Sequence, residues 1–329
     1  MRRFSRRGAL DDGGQTALGY ALVVRLPRRE NRPQRGSRDF FNRLLDAEIL
    51  MIDMQAISTG LKLGEDGIWR ASTEEKISYP EEGNEACFAL EDGSFWFKHR
   101  TQCIARLVQR YPPRDNGAVF DIGGGNGVVA MGLLASGLEV VLVEPGRTGA
   151  ANAQRRGMKN IVQATTETAG FLPRSFPAAG LFDVLEHIED DLMFLKSLRN
   201  LMMPQGRLYL TVPAFALLWS EEDDLAGHFR RYSMRQLRRT LVASGFEVEF
   251  ETYLFRFLPL PIFFLRTLRH WFGIKRKGRS ITTASRDHAV SGGETPAILN
   301  RLLKSELAAI DRQKSIRFGG SCLVVAKNP

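Results

Sequence analysis

The residues best suited to chemistry crowd into "VFDIGGGNGVV" (119–129), where Gly123, Gly124, Gly125 and Gly127 follow the carboxylate of Asp121. A glycine costs roughly 0.5–1 kcal/mol in regular structure, so such a cluster marks a tight turn or a backbone that a ligand touches. The next β-rich run, "EVVLVEPG", ends in Glu144 and Pro145, and an acidic residue at that point can accept from both hydroxyls of a ribose. The spacing Asp121-x-Gly123-x-Gly125-x-Gly127 is not the G-x-G-x-x-G of dinucleotide turns, although Gly124 leaves the register open to more than one reading. A carboxylate at Asp121 would oppose a pyrophosphate and suits an ammonium. S-adenosylmethionine has a ribose, an ammonium, a sulfonium and no phosphate.

Two further clusters hold candidate acids, bases and ligands. Glu186 and His187 precede Glu189, Asp190 and Asp191, a run whose charge favours the positive end of a helix. It includes no further spaced Asp, Asn or His set, so no metal is expected. His228 lies in "DDLAGHFRRYS" beside Arg230, Arg231 and Tyr232. These two arginines are candidates for an anionic group such as carboxylate or phosphate. The aromatics of "SFWFKHR" (94–100) read mainly as the buried face of a helix. A ring against a sulfonium, and His99 or Arg100 near a ligand carboxylate, are the functional alternative.

The elements that must position these residues alternate from Val119 onward. Strands are predicted at 119–122, 140–143, 161–163, 180–184, 207–212, 247–253 and 321–326, and helices between the first five include 128–136 and 191–201. Such alternation implies an α/β fold with a doubly wound, mostly parallel sheet. Ligands bind such sheets at the carboxyl ends of the strands. "LMMPQGRLYLTV" reads as a helix end, a Pro-x-Gly turn and a strand. A helix closed by Pro112-Pro113 precedes the sheet.

Charge and cysteine content narrow the partners. The net charge is +9, but residues 1–50 hold eleven Arg, no Lys and six acidic residues, which leaves about +4 for the rest. Most of the excess therefore belongs to an Arg-rich tail whose composition favours disorder, and a nucleic-acid partner is not expected. "SRRGAL" has the look of a twin-arginine signal, but the apolar run that should follow is interrupted by Asp and Gly, so export is not expected. The three cysteines, Cys87, Cys103 and Cys322, are odd in number and widely spaced. They point to a reducing cytoplasm, with neither disulfides nor zinc.

From about 85 to 327 the chain resembles the class I S-adenosylmethionine-dependent methyltransferases of small-molecule type. The marks are "VFDIGGGNG", "VVLVEPG", "GLFDVLEHIEDD", "MMPQGRLYLTVPA" and "GGSCLVVAKNP", with "SFWFKHR" and "GHFRRYS" also family-like. The resemblance implies a seven-stranded Rossmann-like sheet with a reversed last strand, and S-adenosylmethionine as cofactor. It places the cofactor against Asp121, Gly123, Gly124, Gly125, Gly127, Glu144, Pro145, Thr165, Phe182 and Asp183. It puts Asp183, Glu186 and His187 at the active-site mouth, with His228, His187 and Arg231 as catalytic candidates; His228 belongs to the acceptor side and His187 to the strand end. One departure is "IVQATTET", where Thr165 and Thr166 stand in place of the family's adenine-binding acid. The adenine contact is then left to a hydroxyl, Glu167 or backbone groups.

Methyl transfer from a sulfonium is an in-line displacement helped by positioning and desolvation, and it needs a base only for a protonated acceptor. The acceptor class implied is a small molecule or a lipid- or sugar-linked intermediate. A nicotinamide-dependent oxidoreductase and a non-catalytic cofactor-binding module are the competing readings. The domain organisation expected is a tail at 1–50, a helical cap at 51–115, and the methyltransferase domain at 116–329 with a lid-like insertion at about 254–318. Within that insertion, residues 253–279 are too short to span a bilayer, which needs about twenty apolar residues. They read as a buried cap helix or as an interfacial helix. In the second case Arg266, Arg269, His270, Gly273 and Lys277 recur at helical spacing with Ile262, Leu265, Leu268 and Phe272 mainly opposite, Lys275, Arg276 and Arg279 extend the charge, and the protein is peripheral at the inner face of the membrane.

Overall fold

The computed structural model describes residues 52–73, 81–272 and 297–329. The expected tail at 1–50, and Gly273, Lys275, Arg276, Lys277 and Arg279 of the insertion, lie outside the described residues.

The strand-rich runs fall where their composition places them. Strand β3 (Val119–Ile122), β4 (Val140–Val143) and β5 (Ile161–Gln163) alternate with helices α3 (Val128–Ala135) and α4 (Arg147–Arg155). Strands β6 (Phe176–Phe182) and β7 (Met202–Pro213) flank α5 (Asp191–Leu201). Every residue of β4 is apolar and buried, as a strand covered on both faces requires. Strand β3 is equally buried although it contains Asp121. The acidic run before α5 does cap a helix: Asp190 Oδ1 accepts from the Met193 N–H at 3.0 Å.

Strands β3 to β7 pair in parallel. The final strand, β9 (Ser321–Lys327), runs antiparallel between β7 and β8 (Glu247–Leu254), so the reversed last strand is present. Among the described residues the sheet has nine strands, not the expected seven, in the order β1-β2-β5-β4-β3-β6-β7-β9-β8. The extra pair is a hairpin of β1 (Leu61–Leu63) and β2 (Trp69–Ala71), and β2 adds in parallel to the edge of β5. The segment 51–115 is therefore a hairpin followed by α1 (Glu81–Glu91) and α2 (Phe95–Arg110), rather than helical throughout. Three-residue strands are too short to show a period, which hid them.

Two smaller differences have local causes. The Pro-x-Gly turn before β7 is absorbed as a bulge: Met202 pairs with Phe176, and pairing resumes only at Arg207 with Ala178. Helix α7 (Met234–Ala243) leads into β8, and the insertion after β8 contains α8, within 259–271, and a later helix, α9 (Ala297–Asp311), which buries Leu303 and Ile310 in the core shared with α2. Helix α8 runs Pro259–Ile262, widens into a π turn at Phe263–Thr267, and resumes at Leu268–Trp271.

That widened turn shifts the faces that a 3.6-residue spacing assigns. Arg266 and His270 turn toward the acidic helix α6 (Glu221–Ala226), with Arg266 at 3.6 Å from Glu222 and His270 at 3.9 Å from Asp224. Ile262 shares the inner side with Arg266, whereas Phe264, Leu265 and Phe272 are exposed. The expected opposition of a basic face and an apolar face does not hold. Among the described residues no helix is long and apolar enough to cross a membrane.

Candidate active site

A cleft of about 970 Å³ opens at the carboxyl ends of the central strands. Asp121, Gly123, Gly124, Gly125, Glu144, Pro145, Thr165, Phe182, Asp183, His187, His228 and Arg231 all line it, so it gathers nearly every residue singled out from sequence. Among the cofactor candidates, Gly127 lies outside this lining. It is the N-cap of α3, where an added Cβ would meet Ala153 at 3.0 Å.

The glycines answer different demands. A Cβ on Gly124 would fall 2.2 Å from Leu142 and 2.8 Å from Asp121 Oδ2, so no side chain fits. Gly125 has φ +52°, and its Cβ direction meets only Asn84 at 3.6 Å, leaving backbone open to the cleft. The Gly125 N–H donates to Glu144 Oε2 at 2.8 Å, and the Gly146 N–H to Glu144 Oε1 at 2.7 Å. Glu144 thus fastens the glycine turn to the end of β4 while lining the cleft.

Asp121 is 1% exposed, and neither oxygen makes a full hydrogen bond among the described residues. Burial pushes its carboxyl up to about 7, against the pull of Arg100 and with a push from Glu144. Burying a carboxylate without a full partner is costly, and a ligand cation beside it would offset that cost. Two carboxylates around the glycine turn disfavour a pyrophosphate. The residues present therefore fit an ammonium and a ribose, the polar parts of S-adenosylmethionine, better than a nicotinamide dinucleotide.

Arg100 links this side of the cleft to the other. It projects from α2 with its guanidinium 4.6 Å from the centre of the Trp96 ring, and it pairs with Asp183 Oδ2. Asp183, with φ +61°, also accepts from Thr211 Oγ1 at 2.8 Å. Burial lowers the Arg100 guanidinium to about 10, while Asp121, Glu186 and Glu91 favour its charge. Trp96 and Phe97, two of the three "FWF" aromatics, line the cleft. His99 does not: it is buried against Glu306 at 3.0 Å, and Glu306 also accepts the Phe255 and Arg256 N–H groups. Thr165 is held in a local turn by reciprocal bonds with Thr168, and Thr166 Oγ1 donates to Glu167.

The far side of the cleft is built by the loop after α6. The Phe229 N–H donates to the Glu186 carbonyl at 2.8 Å, which ties this loop to the end of β6. That bond sets the His228 ring edge-on to His187, with centroids 4.7 Å apart. His228 Nδ1 lies 2.8 Å from Asp223 Oδ1, and the same oxygen accepts from Arg231 Nε at 2.7 Å. The Ser220 N–H donates to Asp223 Oδ2 at 2.9 Å. Burial raises the Asp223 carboxyl, but the bonds from His228 and Arg231 outweigh it and hold the group below the usual range. Burial lowers the His187 imidazole to about 4, helped by His228, so this ring is neutral at pH 7.

The two arginines do not form the expected anion site. Arg231 is spent on Asp223, and Arg230 bonds Asp191 at 3.0 Å and the Glu189 carbonyl. Asp223 was not legible as a site residue, because Ser220-x-x-Asp223 reads as a helix capping box, which it also is.

A parallel sheet with a reversed final strand, a glycine turn after its central strand and an acid ending the next defines a doubly wound, Rossmann-like nucleotide-binding domain. Residues 96–250 match the family model described as "Methyltransferase domain". Over that segment, a little under half of the chain, the protein is similar to the S-adenosylmethionine-dependent methyltransferases, whose cofactor is S-adenosylmethionine. Solved structures with a similar chain path include a putative methyltransferase of Haloferax volcanii in complex with the Trm112 activator. It is 14% identical, with 76% of this chain and 97% of that chain covered and a TM-score of 0.49. Phosphoethanolamine N-methyltransferase 2 of Haemonchus contortus, bound to S-adenosyl-L-methionine, is 19% identical over 77% of this chain and 58% of that one, with a TM-score of 0.48. A possible histamine N-methyltransferase of Thermotoga maritima is 17% identical over 71% and 93%, with a TM-score of 0.46. At these scores the likenesses carry no argument about acceptor or partner. No protein of curated function matches the chain.

Proposed function

We propose that the protein catalyses transfer of the S-adenosylmethionine methyl group to a small-molecule or lipid- or sugar-linked acceptor, which enters between the histidine pair and α8. When bound, the cofactor supplies an electrophilic methyl group on its sulfonium. The chain's own residues do the rest. Asp121, the glycine turn and Glu144 hold the cofactor's polar ends, with Pro145, Thr165, Phe182 and Asp183 walling it. The observation that carries this reading is the placement of His228 across the same cleft. Asp223, kept ionised by Arg231 and Ser220, accepts a hydrogen bond from the His228 Nδ1–H and leaves Nε2 with its lone pair for the acceptor side. Arg231 acts here by positioning Asp223.

The lipid-linked version is favoured by α8. Ile262 and Arg266 on its inner side line the cleft, with Leu258 just before it. Its outer side exposes Leu260 (64%), Phe264 (59%), Trp271 (56%) and Phe272 (76%). Exposed apolar side chains beside a cleft mouth suit peripheral contact with the inner face of a membrane and withdrawal of an amphiphilic acceptor from it. The reading is tested with labelled cofactor and host extract, split into lipid and aqueous fractions, using wild type and His228→Ala. A product made by the wild type alone, with cofactor affinity equal in both, supports it. Loss of cofactor binding in His228→Ala would place that loop in the cofactor site instead.

A further inference from the structure

Glu186, His187 and His228 converge from two separate segments, the end of β6 and the loop after α6. One donor atom from each lies within 4.8 Å of the others. Glu186 is 1% exposed, and its Oε2 has no hydrogen-bond partner among the described residues. A buried carboxylate oxygen in that condition is costly unless something completes it. His228 is oriented from behind by Asp223 at 2.8 Å, and Asp223 in turn by Arg231 and Ser220. A carboxylate that takes one imidazole N–H and frees the other nitrogen is the arrangement found behind metal-binding histidines. The backbone bonds Phe229 N–H to Glu186 O and His228 N–H to Asp223 O, at 2.8 and 3.0 Å, fix the loop carrying these donors.

We propose that Glu186, His187 and His228 form a binding site for one divalent first-row transition cation on the acceptor side of the cleft. Two imidazoles and one carboxylate suit Mn²⁺, Fe²⁺, Co²⁺ or Zn²⁺ and not the all-oxygen preference of Ca²⁺. Ligand atoms sharing one ion sit about 2.0–2.2 Å from it, so the three side chains need only a small closure. Three protein ligands leave coordination positions open, and here they open into the cleft. Resting on the methyltransferase reading above, the site would take an acceptor through a hydroxyl oxygen, or two adjacent oxygens, and promote loss of its proton to solvent. This assigns the acceptor to the oxygen nucleophiles.

The test uses the full chain after chelator treatment and without cofactor. Mn²⁺ binding is followed by electron paramagnetic resonance, and Co²⁺ and Zn²⁺ by absorption and calorimetry. The expected result is one ion per chain, at least about tenfold weaker in Glu186→Gln and in His228→Ala, and about 10–100-fold weaker in Asp223→Asn. Glu186→Gln keeps the side chain's shape, and unchanged thermal melting certifies the fold. Failure of all three metals to bind the wild type, or equal affinity in the folded variants, overturns the proposal. Cofactor calorimetry on the same samples separates the two levels: cofactor binding without metal binding removes this site alone, and absence of cofactor binding removes the reading beneath it.

Discussion

Asp121 is a buried acid in the middle of an otherwise apolar strand, a placement that costs stability unless a ligand uses it. Its carboxyl is raised to about 7, mainly by burial, and a bound ammonium favours the ionised form. Cofactor affinity should therefore be weak below pH 7, rise through it and level off above. With a group of that pKa, about tenfold separates pH 6 from pH 8. Calorimetry at the two pH values checks this, and Asp121→Asn should bind weakly at both. An unchanged slope in that variant would assign the titration elsewhere. Glu144→Ala should weaken cofactor binding by roughly 1–3 kcal/mol, because it removes an acceptor for the ribose and strips the Gly125 and Gly146 N–H groups of their partner. Equal affinity would locate the ribose away from β4. Asp121, Glu144 and the glycines were legible because their meaning lies in local spacing. Asp223 was not, since it does double duty as a helix cap, and the sequence offered Arg100 to a ligand carboxylate without showing its partner Asp183, 83 residues away.

Elements long enough to show a period were placed to within a few residues, and their failures share a cause. The hairpin β1–β2 was too short, the bulge in β7 interrupts its own ladder, and the π turn in α8 breaks the spacing from which its faces were read. The correction to α8 changes what its membrane contact should look like. With Arg266 and His270 turned toward Glu222 and Asp224, the described part of the helix offers lipid an apolar surface more than a basic one. Its share of vesicle binding should survive high salt and be lost in Phe264→Ser/Trp271→Ser. Burying one such side chain is worth about 1.5–3 kcal/mol, so the double variant should partition at least tenfold less. Sedimentation with anionic and neutral liposomes at low and high salt reads this directly. Equal pelleting of wild type and variant, or none, would leave α8 as a cap over the cleft only.

At the scale of the whole molecule, composition changes along the chain close to where the described residues begin. The Arg-rich excess stops near residue 50, and from Ile52 onward the backbone is laced to the domain. The Ile52 N–H donates to Asn160 Oδ1 at 3.3 Å, the Leu172 N–H to the Ile57 carbonyl at 2.8 Å, and the Ser58 hydroxyl to the Ala169 carbonyl at 2.6 Å. Met54 is fully buried in the core that also holds Trp69 and Phe171. None of this shows in the sequence, because a nine-residue strap has no period and its partners lie more than a hundred positions away. Two truncations should therefore behave differently. A chain beginning at Met51 should keep the melting temperature and cofactor affinity of the full chain. A chain beginning at Gly60 loses Met54 from the core and the strap's hydrogen bonds, and should unfold with about 2–5 kcal/mol less stability from the emptied methionine site alone. Urea denaturation of the three chains, each with and without cofactor, measures the difference. If the Met51 chain is destabilised as well, residues before it contribute to the fold; if the Gly60 chain is as stable as the full one, the strap is only draped on the surface.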